Sequence, residues 1–133
     1  MAFVLDASVA IAWFVRNQAT AYTDRIKALA KRQPLHAPTI WTLEVANALV
    51  VLQRRGNITE KAASTASSLL DSLVVTLHPN RLSIVQLREL AAAHGLSSYD
   101  ANYLDLAQAL HLPLACRDGT LLRALPAAGV RLA

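Results

Sequence analysis

Short apolar runs alternate along this chain with longer stretches whose apolar residues recur at helical spacing. The runs "FVL" and "VVTL" contain little polar alternation, which is typical of strands that are buried on both faces. We therefore predict strands at 3–6, 34–38, 74–79, 113–118 and 130–133. The intervening patterns predict helices at 9–14, 20–31, 39–55, 59–73, 81–94, 98–110 and 120–125, and Ser8 is expected to cap the first of them.

Strands that alternate with helices predict a parallel sheet covered on both sides. The expected fold class is α/β, a three-layer α/β/α domain with a central, mainly parallel sheet. No linker, internal repeat or low-complexity segment divides the chain, so we expect a single domain over residues 1–133. Ligands of such sheets bind outside the carboxyl ends of the strands. Asp6 and Asp118 each end a predicted strand, and both are expected at the same crevice.

The composition excludes several classes of protein. With 54% hydrophobic and 17% charged residues, the chain is predicted to be globular rather than disordered. The single cysteine, Cys116, cannot form an internal disulfide, and no Cys/His cluster predicts zinc, so we expect a reducing, cytoplasmic setting. The apolar run 9–15 is too short to cross a membrane and follows no basic segment, so neither a membrane span nor a signal peptide is expected.

Glu44 lies in "LEVANALVVL", residues 43–52, where the only other polar residue is Asn47. A helix that is apolar nearly all round is expected to be buried, and residues three apart share one face. A buried carboxylate is unstable unless it is paired or binds a cation. Glu44 and Asn47 therefore either line a polar notch together or belong to a structural network with an arginine.

Asp100 and Asp105 lie in one predicted helix, within "SSYDANYLDLA". Asp100 shares a face with Tyr103, on the side expected to be buried, although Ser97 and Asp100 also fit a capping motif at the helix start. Asp105 falls away from that face. We expect Asp105 to be exposed to solvent and assign it no role.

Four carboxylates can converge at the crevice: Asp6, Glu44, Asp100 and Asp118. Taken singly they have ordinary alternatives, since Asp6 can cap a helix and Asp118 precedes a glycine, as turn residues often do. Packed together they would repel one another, and divalent cations would relieve that repulsion. Oxygen ligands suit Mg²⁺ or Mn²⁺, which can activate a water towards a phosphodiester.

The charge balance fits such a site without requiring it. Thirteen Lys and Arg residues against nine Asp and Glu give a formal net charge of +4. If four of the acids share one crevice, the remaining surface is strongly basic, as a nuclease requires. An arginine-rich surface without a polyanionic partner would give the same totals.

The motifs around these acids resemble those of PIN-domain ribonucleases, in particular the VapC-type toxins of toxin–antitoxin pairs. They are "VLDASVAIAWF", "LEVANAL", "SSYDANYLDLA" and "PLACRDGTLL", and their order and spacing match over essentially the whole chain. The resemblance implies that the catalytic and metal-binding acids are Asp6, Glu44, Asp100 and Asp118.

The resemblance also implies roles for neighbouring residues. Ser8 matches a small hydroxyl residue after the first aspartate, and Asn47 an asparagine one turn after the glutamate, so both would orient ligands and metal-bound water. Tyr99 matches a tyrosine before the third acid and is expected to pack at the rim of the cleft. The family often has threonine or serine where this chain has Cys116, a weaker hydrogen-bond donor that we expect to be a buried strand residue.

The activity implied by the resemblance is that of an Mg²⁺- or Mn²⁺-dependent endoribonuclease. It also implies an RNA substrate, a homodimer and a cognate antitoxin that blocks the cleft. Arg16, Lys61 and Arg117 are candidate phosphate contacts, and an ordinary surface charge is the equal alternative for each of them. A non-catalytic binding module with the same fold is the alternative. A haloacid-dehalogenase-like phosphatase would need an aspartate in place of Ser8, and a nucleotide-binding fold would need a glycine-rich loop that this chain lacks.

Overall fold

A computed structural model describes residues 1–117 and 119–133, so Asp118 lies outside the described residues. The strands are β1 (Phe3–Leu5), β2 (Leu35–Pro38), β3 (Val75–His78) and β4 (Leu114–Ala115). The helices are α1 (Ala7–Phe14), α2 (Ala21–Ala30), α3 (Ile40–Arg54), α4 (Glu60–Asp71), α5 (Ile84–His94), α6 (Ser98–Leu110) and α7 (Gly119–Ala124), and a 3₁₀ turn follows α1 at Arg16–Gln18. No helix in the described ranges combines the length and the apolar character that a membrane crossing requires.

The sheet is parallel throughout, with strand order β3-β2-β1-β4. Val4 of the central strand pairs with His36 of β2 on one side and with Leu114 of β4 on the other. All three residues of β1 are buried, as expected for a strand that helices cover on both faces. Helix α6 packs on β1, β2 and β4. The prediction of a three-layer α/β/α fold with a central parallel sheet is confirmed.

Three local predictions at the strand ends are corrected. Asp6, and not Ser8, occupies the N-cap position of α1, because β1 ends at Leu5 and the helix begins at Ala7. The expected last strand, 130–133, contributes only an isolated parallel bridge between Leu114 and Leu132. Cys116 is buried as predicted, but it follows β4 instead of belonging to it.

Helix α3 is buried on one face only, which contradicts the prediction from its sequence. Trp41 and Val45 face the core, while Leu43 is 71% exposed and Val50 is 41% exposed. Asn47 is also exposed. The helix packs on α1, α4 and β2, and its apolar outer face is left to solvent in this chain. An apolar helix is thus a sign of burial only when an element is available to cover each face.

Asp105 is buried, so the prediction of a solvent-exposed side chain was wrong. Arg81 donates two hydrogen bonds to its carboxylate, from Nη2 to Oδ1 at 2.7 Å and from Nε to Oδ2 at 3.1 Å. Helix α5 packs along α6, and Arg81 comes from the loop that precedes α5. Because this second layer covers the outer face of α6, both sides of the helix are buried around Asp105.

Candidate active site at the carboxyl end of the sheet

Asp6 is buried at the junction between the central strand and α1. Its backbone carbonyl accepts hydrogen bonds from the amides of Val9 and Ala10 in the first turn of the helix. The hydroxyl of Ser8 donates to Asp6 Oδ2 at 2.5 Å. The Asp6 carboxylate therefore lies at the carboxyl end of β1, and the hydrogen bond from Ser8 restricts its orientation.

Glu44 is half-buried in the second turn of α3. Within the described residues its Oε1 atom is buried without a hydrogen-bond partner. Burial raises the pKa of Glu44 above its ordinary value, the hydroxyl of Tyr103 opposes that rise, and the negative charge of Asp100 adds to it. Glu44 on α3 therefore experiences the negative charge of Asp100 on α6.

Tyr103 interacts with two of these acids, Asp6 and Glu44, a role that was not predicted for it. Its side chain is fully buried, with 0% exposure. Burial raises the pKa of its hydroxyl, the charges of Asp6 and Glu44 raise it further, and the backbone amide of Ala7 lowers it. The signal in the sequence was its spacing, because Tyr103 is three residues after Asp100 and shares its helix face.

Asp100 occupies the first turn of α6, where Ser97 Oγ accepts a hydrogen bond from its backbone amide at 3.1 Å. The capping interaction and a place at the crevice are therefore compatible. The fourth predicted acid, Asp118, lies outside the described residues. Among residues 1–117 and 119–133, no three Asp, Glu, His or Cys side chains are grouped closely enough to hold a metal ion. The described acids still suit a hard cation, because one buried carboxylate oxygen lacks a partner and the neighbouring charge is also negative.

The other predicted site residues differ in what surrounds them. Asn47 is exposed one turn after Glu44. Tyr99 is 57% exposed, which is more than the predicted packing role would give.

The three candidate phosphate contacts lie in different surroundings. Arg117 donates hydrogen bonds to the carbonyl oxygen and to Oε1 of Gln18, so its guanidinium is held at the 3₁₀ turn. Arg16 and Lys61 are exposed and line one surface cavity of 940 Å³ with apolar neighbours such as Phe14 and Ile58.

Two of the histidines form a pair away from these acids. Nδ1 of His36 and Nε2 of His78 lie 2.9 Å apart across the neighbouring strands β2 and β3. Burial and the proximity of His78 lower the pKa of His36. Each ring thus shares a hydrogen bond with the other.

Comparison with known proteins agrees with the motifs. A model of the PIN domain family matches residues 3–125. A curated relative from Pyrobaculum aerophilum, named Ribonuclease VapC3, is 31% identical over 132 residues, which cover 96% of this chain and 97% of the relative. A protein of the same name from Mycobacterium tuberculosis is 32% identical over 128 residues, which cover 94% of this chain and 88% of the relative.

Two crystal structures share the fold. PAE2754 from Pyrobaculum aerophilum has a TM-score of 0.70 at 24% identity, over 93% of this chain and 84% of that one. FitAcB from Neisseria gonorrhoeae has a TM-score of 0.64 at 18% identity, over 98% of this chain and 95% of that one. The extent of the family match and the identity to the curated relatives confirm the resemblance read from the sequence. This chain therefore belongs to the PIN-domain family and is of the VapC type.

Proposed function

We propose that this protein is a divalent-metal-dependent endoribonuclease and the toxin of a toxin–antitoxin pair. The observation that carries the proposal is the buried Oε1 atom of Glu44, which lacks a hydrogen-bond partner in the described part of the chain and lies near the charge of Asp100. A buried anion without a counter-ion destabilises the fold, so its presence favours a cation site. The RNA substrate is inferred from the relatives named Ribonuclease VapC3.

Asp6, Glu44, Asp100 and Asp118 are the proposed ligands of Mg²⁺ or Mn²⁺. All four are carboxylates, and hard divalent cations prefer oxygen ligands. A cation bound there would polarise the scissile phosphodiester and lower the pKa of the attacking water. The acids would be held by a strand end and two helices, which restricts their movement as the cation binds.

The chain's own groups prepare this site. Ser8 holds the Asp6 carboxylate in one orientation. Asn47, exposed one turn beyond Glu44, can hydrogen-bond a water or a phosphate oxygen at the crevice. Because the pKa of Glu44 is raised, this acid keeps its proton at a higher pH than an ordinary glutamate does. Binding of a cation would release that proton, so metal affinity is expected to increase with pH.

RNA and the antitoxin are proposed to compete for one basic surface. Arg16 and Lys61 are the candidate phosphate contacts, since both are exposed at the 940 Å³ cavity. The apolar residues beside them suit a peptide segment of an antitoxin. Such a segment would cover the same cations that attract the phosphate backbone.

A homodimer is proposed from the exposed apolar side chains. Leu43 and Val50 project from α3, and Ile84 and Val85 from α5. Exposed large apolar groups of this kind mark interaction surfaces in many proteins, and a second copy of the chain is the proposed partner. We also propose a single domain over residues 1–133 that works in the cytoplasm, where its lone cysteine would remain reduced.

The test is cleavage of purified total RNA by antitoxin-free protein, with Mn²⁺ and with EDTA. Total RNA is the appropriate pool because a sequence-specific enzyme can ignore a synthetic oligonucleotide. We expect discrete fragments with Mn²⁺, no fragments with EDTA, and none from Asp100→Asn at equal folded concentration. Fragments that persist in EDTA would contradict metal dependence, and the absence of any fragments from folded wild type would favour the non-catalytic binding module.

A further inference from the structure

The hydroxyl group of Tyr103 is buried in the protein interior. Its side chain has 0% exposure, and its Oη atom has no hydrogen-bond partner among residues 1–117 and 119–133. A buried hydroxyl without a hydrogen-bond partner destabilises the fold, whereas phenylalanine would fill the same space without that penalty. The hydroxyl therefore needs an explanation other than packing.

The groups around the Tyr103 hydroxyl explain why a tyrosine is present at this position. Tyr103 lies on α6 in the buried layer that packs against the sheet, three residues after Asp100. The Glu44 carboxylate from α3 approaches it, and each group influences the other's ionisation through partial hydrogen bonding. From α1, the charge of Asp6 and the amide of Ala7 act on the same hydroxyl. One O–H group on α6 is thus influenced by Glu44 of α3 and by Asp6 and Ala7 at the start of α1.

Neither Glu44 nor Tyr103 has its full set of hydrogen-bond partners among the described residues. Glu44 Oε1 and Tyr103 Oη are both buried, both lack a hydrogen bond of normal geometry within the described residues, and they are close to each other. A carboxylate has lone pairs for two kinds of partner, a cation and a hydrogen-bond donor. A small movement of Glu44 would give it both.

We propose that Tyr103 is a positioning residue, whose hydroxyl donates a hydrogen bond to the Glu44 carboxylate when a divalent cation occupies the site. Oriented in this way, one carboxylate oxygen faces the cation and the other faces Tyr103. Donors that orient metal ligands contribute about 10-fold to 100-fold to metal affinity. The inference rests on the proposed metal site and assigns a role to Tyr103, for which the motif "SSYDANYLDLA" alone indicated none.

Tyr22 provides a matched control. Its hydroxyl is also buried without a hydrogen-bond partner in the described residues. Burial and then the neighbouring Cys116 raise its pKa to about 12, and Asp6 makes only the last contribution to that shift. Tyr22→Phe removes a hydroxyl from a half-buried tyrosine on α2 whose ionisation Glu44 does not influence.

The experiment measures Mn²⁺ binding to the full chain by calorimetry at one pH, for wild type, Tyr103→Phe and Tyr22→Phe. We expect Tyr103→Phe to bind Mn²⁺ about 10-fold or more weakly, and Tyr22→Phe to bind as wild type does. Without metal, the melting temperature of Tyr103→Phe should equal or exceed that of wild type, because the variant removes an unsatisfied group. A hydroxyl with a purely structural role would leave the Mn²⁺ affinity of Tyr103→Phe unchanged. It would also give this variant a lower melting temperature than wild type without metal.

A second measurement uses ¹³Cζ-labelled tyrosine in the wild-type chain, which has three tyrosines. The resonance that Tyr103→Phe lacks is expected to shift on addition of Mg²⁺, because its hydroxyl acquires an acceptor. Wild-type protein that binds no Mn²⁺ would overturn the proposed metal site and this inference together. Wild type that binds, with a Tyr103→Phe variant of equal affinity or an unmoved resonance, would overturn the inference alone.

Discussion

Glu44 and Asp105 are both acidic side chains inside this protein, and the fold treats them in opposite ways. Asp105 accepts two hydrogen bonds from Arg81, so the chain supplies its counter-ion. Glu44 has one buried oxygen without a partner in the described residues, and the charge that influences it is the negative charge of Asp100. A buried acid without a counter-ion from the protein therefore indicates a binding site. A buried acid that is paired with a basic side chain indicates a structural contact.

The largest effect that separates the two acids is expected in catalysis. Glu44→Gln should lower the rate of Mn²⁺-dependent RNA cleavage by more than about 100-fold, since loss of a ligand should exceed the 10-fold to 100-fold effect of its supporting groups. The measurement is the single-turnover rate on a target found among the total-RNA fragments. Asp105→Asn is the matched control and should retain the wild-type rate per folded molecule. Equal losses in both variants would remove the distinction.

The next effect concerns the stability of the paired acid. Arg81→Met leaves the buried carboxylate of Asp105 without its counter-ion, which we expect to lower the free energy of unfolding by about 1–3 kcal/mol. The lower part of that range is favoured because 62% of the Arg81 side chain is exposed. Urea denaturation monitored by circular dichroism measures the change.

The double variant Arg81→Met with Asp105→Asn sharpens this result. Removing the orphaned charge should restore part of the lost stability, so the two substitutions should be non-additive. Additive losses would mean that Arg81 acts through packing of its aliphatic stem, and Asp105 would no longer be a neutralised acid.

The smallest effect is the pH dependence of the metal-free protein. Because the pKa of Glu44 is raised, the folded state holds this proton more tightly than the unfolded state, and wild-type stability is expected to fall as pH rises above 4.5, its ordinary value. Glutamine does not titrate. Glu44→Gln should therefore raise the melting temperature in EDTA by a few degrees at neutral pH, with the difference vanishing below that value.

Thermal denaturation at several pH values tests this prediction, with Asp105→Asn as the comparison. Asp105→Asn should lower the melting temperature at neutral pH, opposite in sign to Glu44→Gln. A Glu44→Gln variant that is less stable than wild type in EDTA would contradict this prediction. It would indicate that favourable contacts within the protein stabilise the Glu44 carboxylate without a cation.

Features that depend on local chemistry could be predicted from the sequence. Helix α6 spans the predicted residues 98–110, because Ser97 provides the capping oxygen and the apolar spacing is regular. The position of Asp6 followed from a short apolar run that ends in an acid. The motifs around the acids were sufficient to indicate the family, which the comparisons confirm.

Features that depend on what covers a surface could not be predicted. Asp105 is buried because the loop before α5 places Arg81 over it, and Leu43 is exposed because no described element packs on that face of α3. The influence of Asp6 and Glu44 on Tyr103 likewise depends on residues of α1 and α3 that lie far from α6 in the sequence. Helical periodicity gives the faces of one element, whereas these properties belong to neighbours that are distant in sequence.

The order in which the sheet is assembled has a consequence for synthesis of the protein. Val4 pairs with Leu114, so the central strand acquires its last neighbour only after residue 114 has been synthesised. A nascent chain that has left the ribosome as far as α3 already contains Asp6 and Glu44, but not α6 or β4. Asp6, Glu44 and Asp100 can be brought together only after α6 has left the ribosome. The proposed nuclease site would therefore stay incomplete until the α6 segment has been synthesised and has left the ribosome.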